Sequence, residues 1–245
     1  MRMEKSSDEA SSPTLSIIVP SHNEQENLPP LVDRLAQVLS EIDWHAEVIL
    51  VDDHSSDATE KVADNLARIH GWIHVSRNHG PRGMGSTLKT GLTEARGKYV
   101  CFVMADGVDD LTNISRMVQL LDLGQADIVI SSRYMRPGYS RDVPHKYKFW
   151  STCFRLASRI LLGVYLKDPT NAYRCLRREL FSQFKITAND FSFSAELTFK
   201  AWKKGLRIVE IPGRHGRRIR GRSSFSFRKV AWPYVRALLS TILGW

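Results

Sequence analysis

Two acidic clusters, each at the end of an apolar run, give this chain its first chemical signature. One is Asp52-Asp53-His54-Ser55-Ser56-Asp57 after Val48-Ile49-Leu50-Val51; the other is Asp106-Gly107-Val108-Asp109-Asp110 after Tyr99-Val100-Cys101-Phe102-Val103-Met104-Ala105. Carboxylates so placed suit a nucleotide sugar, because one can accept hydrogen bonds from base or ribose while another ligates a hard divalent cation shared with phosphate oxygens. The alternative use is helix capping, for which Ser56 and Asp57 are placed. Between the clusters, His79-Gly80-Pro81-Arg82-Gly83-Met84-Gly85-Ser86 has the spacing of a phosphate loop ahead of a helix N-terminus. It follows the third strand rather than the first, unlike a dinucleotide fingerprint, and the glycines of a tight turn are its other reading.

The elements that must carry these loops show in the periodicity. Segments 15–20 and 47–52 read as strands, and between them Leu28, Leu31, Leu35, Val38 and Leu39 fall on helical spacing within 26–42. The alternation continues with helices over 58–69, 85–95 and 111–123 and strands over 72–75, 99–104 and 127–131. This predicts an α/β fold with a doubly wound, mostly parallel sheet. Ligands of such sheets bind outside the carboxyl ends of the strands, so loops 21–24, 52–57 and 105–110 are expected on one edge.

Beyond Arg133 a second half begins, with a loop containing Pro137, Gly138 and Pro144 and an amphipathic helix over 147–162. A helix over 194–204, a strand over 207–211, a basic loop over 214–222 and a terminal helix follow. One domain is expected over 14–229, with a nucleotide-binding half at 14–132 and an acceptor-binding half at 133–229. Residues 1–13 are polar, lack the apolar core of a signal peptide and are expected to form a disordered lead. Residues 230–245 are expected to be an interfacial amphipathic helix, too short and too interrupted by Pro233 and Arg236 to span a bilayer.

Charge divides along the same line. Residues 1–132 hold 11 Lys and Arg against 20 Asp and Glu, and residues 133–245 hold 24 against 6, so the halves carry −9 and +18. An acidic half suits cations and a basic half suits phosphates. Cys101, Cys153 and Cys175 are too dispersed for a zinc knuckle or a disulfide framework, which fits a reducing compartment.

Taken together, Pro20-Ser21-His22-Asn23-Glu24, Val51-Asp52-Asp53-His54-Ser55-Ser56-Asp57, Gly83-Met84-Gly85, Ser132-Arg133-Tyr134 and Asp168-Pro169-Thr170-Asn171-Ala172-Tyr173-Arg174 resemble the family 2 inverting glycosyltransferases. The subgroup resembled is that of dolichol-phosphate mannose synthases and polyprenyl-phosphate glycosyltransferases. Each motif is short, but their order and spacing hold from about residue 15 to 225. The resemblance implies a GT-A fold and a nucleotide-diphosphate sugar donor bound by Pro20, Asn23, Glu24, Asp53 and Ser55, with Gly83 and Gly85 beside them. It implies Mg²⁺ or Mn²⁺ on a DxD-like motif, here Asp106 with Asp109 or Asp110 in support, since Met104 stands where many relatives carry the first aspartate. It also implies an acceptor site at Arg133, Asp168, Thr170 and Arg174, with Glu196 in the catalytic pocket. Arg218-Ile219-Arg220-Gly221-Arg222-Ser223-Ser224 is similar to the family's loop over the diphosphate, with Arg218 as the clamp and Ser224 in place of a lysine.

The implied reaction moves a hexose from GDP-mannose or a UDP-sugar to a polyprenyl or dolichyl phosphate. A phosphate acceptor is already ionised at pH 7 and needs little help from a base. Its lipid tail needs an apolar landing site, offered by helix 146–162 with Phe149, Trp150, Phe154 and Leu161, and by Trp232, Tyr234 and Trp245. The chain is therefore expected at the cytoplasmic face of a membrane, peripheral or monotopic, with core packing the other use for the first helix. Two rivals remain: a family 2 enzyme extending a saccharide, where Asp109, Asp110 or Asp168 would serve as base, and a nucleic-acid module built on the basic half. No recognisable nucleic-acid motif supports the second, and the sequence sets no oligomeric state.

Overall fold

The computed structural model describes residues 13–218, 220 and 227–243, with the side chains of the last segment described from 231. Most of the expected lead, and Ile219, Gly221, Arg222, Ser223, Ser224 and Trp245, lie outside the described residues.

Strands β1 (Leu15–Ser21), β2 (Ala46–Asp52), β3 (Ile73–Arg77), β4 (Tyr99–Phe102), β5 (Ile128–Ser132), β6 (Arg174–Arg177) and β7 (Ile208–Pro212) form one sheet in the order β3-β2-β1-β4-β6-β5-β7. All pairs are parallel except those of β6, which runs antiparallel to β4 and β5. The expected architecture is present with one addition. β6 reads Arg-Cys-Leu-Arg, too short to show a period, and it is wedged between two parallel neighbours. Because β6 and β7 complete the sheet begun by β1 to β5, the two expected halves share one sheet.

Helices α1 (Leu28–Ser40), α2 (Thr59–Ile69) and α4 (Asn113–Asp122) cover one face, while α3 (Met84–Glu94) and α6 (Phe193–Lys203) cover the other; α5 (His145–Leu162) and α7 (Phe227–Leu243) lie outside α6. Successive residues of β1 feed opposite cores: Ile17 and Val19 pack with Leu28, Leu31 and Leu35, and Ile18 packs with Leu88 and Leu92. Burial on both faces is why these strands read as continuous apolar runs. α1 opens with Pro29 and Pro30 in its first turn, where a missing N–H costs nothing. The terminal helix begins three residues before the expected 230 and contains Pro233. α5 is unusual: of its 18 residues only Ser158 is buried.

Candidate functional site

The parallel strands deliver their loops to one rim. After β1, Asn23 takes a left-handed conformation at φ 55°. Its N–H then donates to Ser55 Oγ at 2.9 Å, and its Oδ1 accepts from the Ser56 N–H at 2.8 Å. Asn23 and Ser55, both expected at the donor, thus lock the first two loops together. Pro20 is buried one residue before the end of β1, opposite Val51.

Of the aspartates ending β2, Asp53 spends its carboxylate inside the protein, accepting from Asn78 Nδ2 at 2.8 Å and from the Gly83 N–H at 2.9 Å. Asp52 differs. Its Oδ2 accepts from the Ser55 N–H at 3.1 Å, but its buried Oδ1 has no hydrogen-bond partner. A buried carboxylate oxygen left unmatched is costly and is an open acceptor for a ligand hydroxyl or N–H.

The second acidic cluster meets the basic half at Arg218. Its guanidinium donates to Glu24 Oε1 at 2.5 Å and to Asp106 Oδ2 at 3.4 Å. Asn27 braces the arrangement by donating to Glu24 Oε2 at 2.5 Å and exchanging hydrogen bonds with the Arg220 backbone. Burial raises the Asp106 pKa, and Arg218 only partly offsets this. Asp109 is pushed to about 7, first by burial and further by the charge of Asp106, although its Oδ2 accepts from the Met104 N–H at 2.9 Å. Arg34, on α1, holds the loop from behind through the carbonyls of Gly107 at 2.7 Å and Asp109 at 2.9 Å.

Among the described residues no three metal-ligating side chains converge. That donor set does not make a protein cage, but it fits a hard cation that takes one or two carboxylates and completes its shell with substrate phosphate oxygens. Asp106 is partly exposed and faces Glu24 and Arg218.

Among the residues expected at the acceptor, Arg133 forms a fork with Asp168, Nε to Oδ2 and Nη2 to Oδ1, both at 2.7 Å. Burial lowers the arginine pKa, but the Asp168 charge overrides it and holds the guanidinium firmly protonated. Asp168 is fixed in turn because its N–H and that of Lys167 donate to the Glu210 carboxylate at 2.6 and 2.7 Å. Thr170 stands half-buried in the same turn. His215 lies against this pair, its pKa lowered to about 4 by burial and by Arg133.

Four expected residues are committed to other contacts. Arg174 is fully buried, and its guanidinium is spent on the carbonyls of Asn171, Pro169 and Ser194 and on the Thr198 hydroxyl. Burial alone lowers its pKa to about 10. It ties the turn 168–173 to α6 and has no donor left for an acceptor phosphate. Glu196 accepts from the N–H groups of Thr187 and Ala188 and from Lys200 Nζ at 2.6 Å, bracing the segment before α6 rather than joining Asp106. That segment explains the glycines. A Cβ on Gly83, at φ 147°, would stand 2.3 Å from the Asn189 carbonyl oxygen, and one on Gly85 would stand 2.7 Å from that of Ala188. The Ser86 N–H donates to the Asn189 carbonyl at 3.0 Å, so backbone lies over the α3 N-terminus.

Sequence reading missed Asp52's orphan oxygen, Asn27, Arg34, Asn78 and Glu210. Arg34 had a signal, as one of few cations in the acidic half; the others show only through partners distant in sequence.

Comparison with known proteins follows the same lines. The model of the glycosyl transferase family 2 matches residues 16–184. The chain is 34% identical over 203 residues to a polyprenol monophosphomannose synthase of Mycolicibacterium smegmatis, covering 80% of this chain and 75% of that one. It is 32% identical to an undecaprenyl-phosphate mannosyltransferase of Micrococcus luteus, covering 80% of each. It is 30% identical to a dolichol-phosphate mannosyltransferase of Pyrococcus furiosus, covering 91% of this chain and only 62% of that relative. Among solved structures, the glucosyl-3-phosphoglycerate synthase of Mycobacterium tuberculosis with Mn²⁺, UDP and glucosyl-3-phosphoglycerate superposes with a TM-score of 0.70 at 21% identity, over 96% of this chain and 81% of that one. A form of the same enzyme with Mg²⁺ and UDP gives 0.69 at 20% identity, over 96% and 80%. These structures share the GT-A fold.

Proposed function

The chain belongs to glycosyl transferase family 2 and is a glycosyltransferase, and we propose that it moves a hexose from GDP-mannose or a UDP-sugar to a polyprenyl or dolichyl phosphate, inverting the anomeric carbon. The observation that carries this reading is the Arg218 bridge to Glu24 and Asp106, which brings acids from two donor-side loops and a cation from the basic half to one rim. The names of the three relatives support the acceptor class.

In this reading the open Asp52 oxygen accepts from the donor's ribose or base, while Asn23 and Ser55 hold the pocket's two loops in register. The acceptor phosphate is oriented by Arg133, which Asp168 keeps aimed. One of its oxygens attacks the anomeric carbon from the side opposite the diphosphate; the new C–O bond forms as the old one breaks, and the nucleoside diphosphate leaves with the bonding pair. Arg218 turns from Glu24 and Asp106 to the departing diphosphate and stabilises its growing charge. Asp106 would hold a Mg²⁺ or Mn²⁺ ion, which would supply further neutralisation of the leaving diphosphate when bound.

The lipid tail requires a surface. α5 exposes Phe149, Trp150, Leu156, Ile160 and Leu161, and α7 exposes Trp232, Val235, Leu239, Ile242 and Leu243. Neither helix contains an acidic residue, and Lys146, Lys148, Arg155, Arg159 and Arg236 accompany these faces. Among the described residues no helix is long and apolar enough to cross a membrane. Such faces suit peripheral docking at the headgroup boundary of the cytoplasmic leaflet, with 14–229 as the catalytic domain and the terminal helix as its interfacial element.

The test is to incubate the full chain with radiolabelled GDP-mannose or UDP-sugars, divalent metal and a short polyprenyl phosphate. Label in the organic phase supports the reading. Label appearing only on an added saccharide overturns it.

A further inference from the structure

The rim of the sheet carries more cations than the site above uses. β5 and β7 are parallel neighbours, paired through to Ser132 and Pro212, so the segments that follow them, 133–144 and 213–218, leave the sheet side by side. They are joined where the His215 N–H donates to the Tyr139 carbonyl at 3.0 Å, and the Gly216 N–H donates to the Val108 carbonyl of the acidic loop at 2.8 Å. Between them lies an open basin of about 550 Å³ lined by Arg141, Asp142, Arg214, Gly216 and Arg217.

Its charge is unbalanced. Asp142 is the one acid in the two segments, and its Oδ1 accepts from Arg217 Nε at 2.8 Å. Arg141 and Arg214 are exposed, and among the described residues neither guanidinium has a hydrogen bond or an ion pair. Three arginines against one aspartate leave two positive charges facing one concavity, where they repel each other until an anion enters. Guanidinium forks match phosphate oxygens bidentately.

The chain that follows says where such an anion comes from. α5 begins three residues after Asp142; its first turn carries Lys146 and Lys148 with no acid, and Phe149 and Trp150 next to them are exposed. Cations thus give way within a few residues to exposed aromatic rings, the order met on entering a leaflet from water. We propose that the basin is a headgroup site for an anionic phospholipid of the bilayer, Arg141 and Arg214 holding its phosphate while α5 lies at the headgroup boundary. This rests on the peripheral-docking reading above and deepens it. The lipid bound here is a neighbour of the acceptor rather than the acceptor itself, whose phosphate that reading gives to Arg133.

The test is the double variant Arg141→Gln/Arg214→Gln in the full chain, with Lys61→Gln/Arg68→Gln as control. The control removes the same charge from exposed positions on α2, on the opposite face of the sheet. Co-sedimentation is measured with vesicles of phosphatidylcholine, with and without phosphatidylglycerol. Each cation beside an anionic leaflet is worth about fivefold in partition, so the basin pair should weaken binding to the anionic vesicles roughly 25-fold and the control pair by less than about threefold. Binding to phosphatidylcholine alone, Tm, and the KM for a short polyprenyl phosphate in detergent should stay within about twofold of wild type. Equal losses in the two pairs, or none in either, overturn the headgroup site and leave docking standing. A raised acceptor KM with unchanged vesicle binding gives the basin to the acceptor and also overturns it. A wild type that binds both kinds of vesicle alike overturns the site alone, and one that binds neither overturns the docking reading with it.

Discussion

Arg218→Met removes the guanidinium that reaches carboxylates on both the β1 and β4 loops. At 3.4 Å from Asp106, one such attraction is on the order of 5 kcal/mol at an effective dielectric of about 20. Both side chains are less than a quarter exposed, 21% and 23%, so solvent screens the pair only in part. In the ground state the loss is self-limiting, because donor binding requires Arg218 to leave Glu24 and Asp106; donor KM should move less than about tenfold. In the transition state the leaving diphosphate gains charge with nothing to replace the clamp, and losing one such donor costs about 2.7–4 kcal/mol, or 10²–10³ in kcat. Arg218→Lys keeps the charge without the fork and should fall between. The assay is steady-state release of nucleoside diphosphate at saturating acceptor. A kcat for Arg218→Met within about threefold of wild type would refute the clamp. A second reading comes from the same variant: with Glu24 and Asp106 no longer neutralised, Mg²⁺ alone should raise its Tm more than that of the wild type.

Three further outcomes follow from the structure. Asp109 keeps its proton to about pH 7 in the folded chain against 3.8 when unfolded, so stability falls as pH rises from about 4 to about 7 and stays lower above that; Asp109→Asn should flatten this slope, with a Tm above wild type at pH 8 and a gap that closes toward pH 4. Arg174→Met strands the buried carbonyls it serves, so it should lower stability by about 3–5 kcal/mol and leave the acceptor KM of the folded fraction unchanged; a raised KM at constant Tm would restore Arg174 to the acceptor. Gly85→Ala places a Cβ 2.7 Å from the Ala188 oxygen and should cost about 1–3 kcal/mol in Tm-derived stability through overpacking.

Strands β1, β2 and β4 were legible because burial on both faces leaves an unbroken apolar run, and their polar loops were legible because a doubly wound sheet has only one ligand edge. β6 was not, since four residues flanked by arginines carry no period. That the acidic loops meet at one rim was legible, yet which oxygen stays open was invisible: Asp52 and Asp53 are adjacent and chemically identical, and only Asn78 and Gly83, folded in from the β3 loop, decide between them. Gly83 and Gly85 left two uses open in the sequence because a phosphate and a passing backbone ask the same thing of a glycine, absence of a side chain. Arg174 did likewise, as a guanidinium fork meets a ring of carbonyls as readily as a phosphate. In both cases the deciding partner, 187–190 or α6, lies far along the chain.

The central claim is that acids from separate loops and Arg218 surround one metal-bound diphosphate. Thermal unfolding of the full chain with GDP or UDP, in Mg²⁺ and again in EDTA, addresses it directly, because a ligand bound only to the folded state raises Tm. One of the two nucleotides should raise Tm with Mg²⁺ and neither should in EDTA; an equal shift in EDTA, or none in either condition, would contradict it.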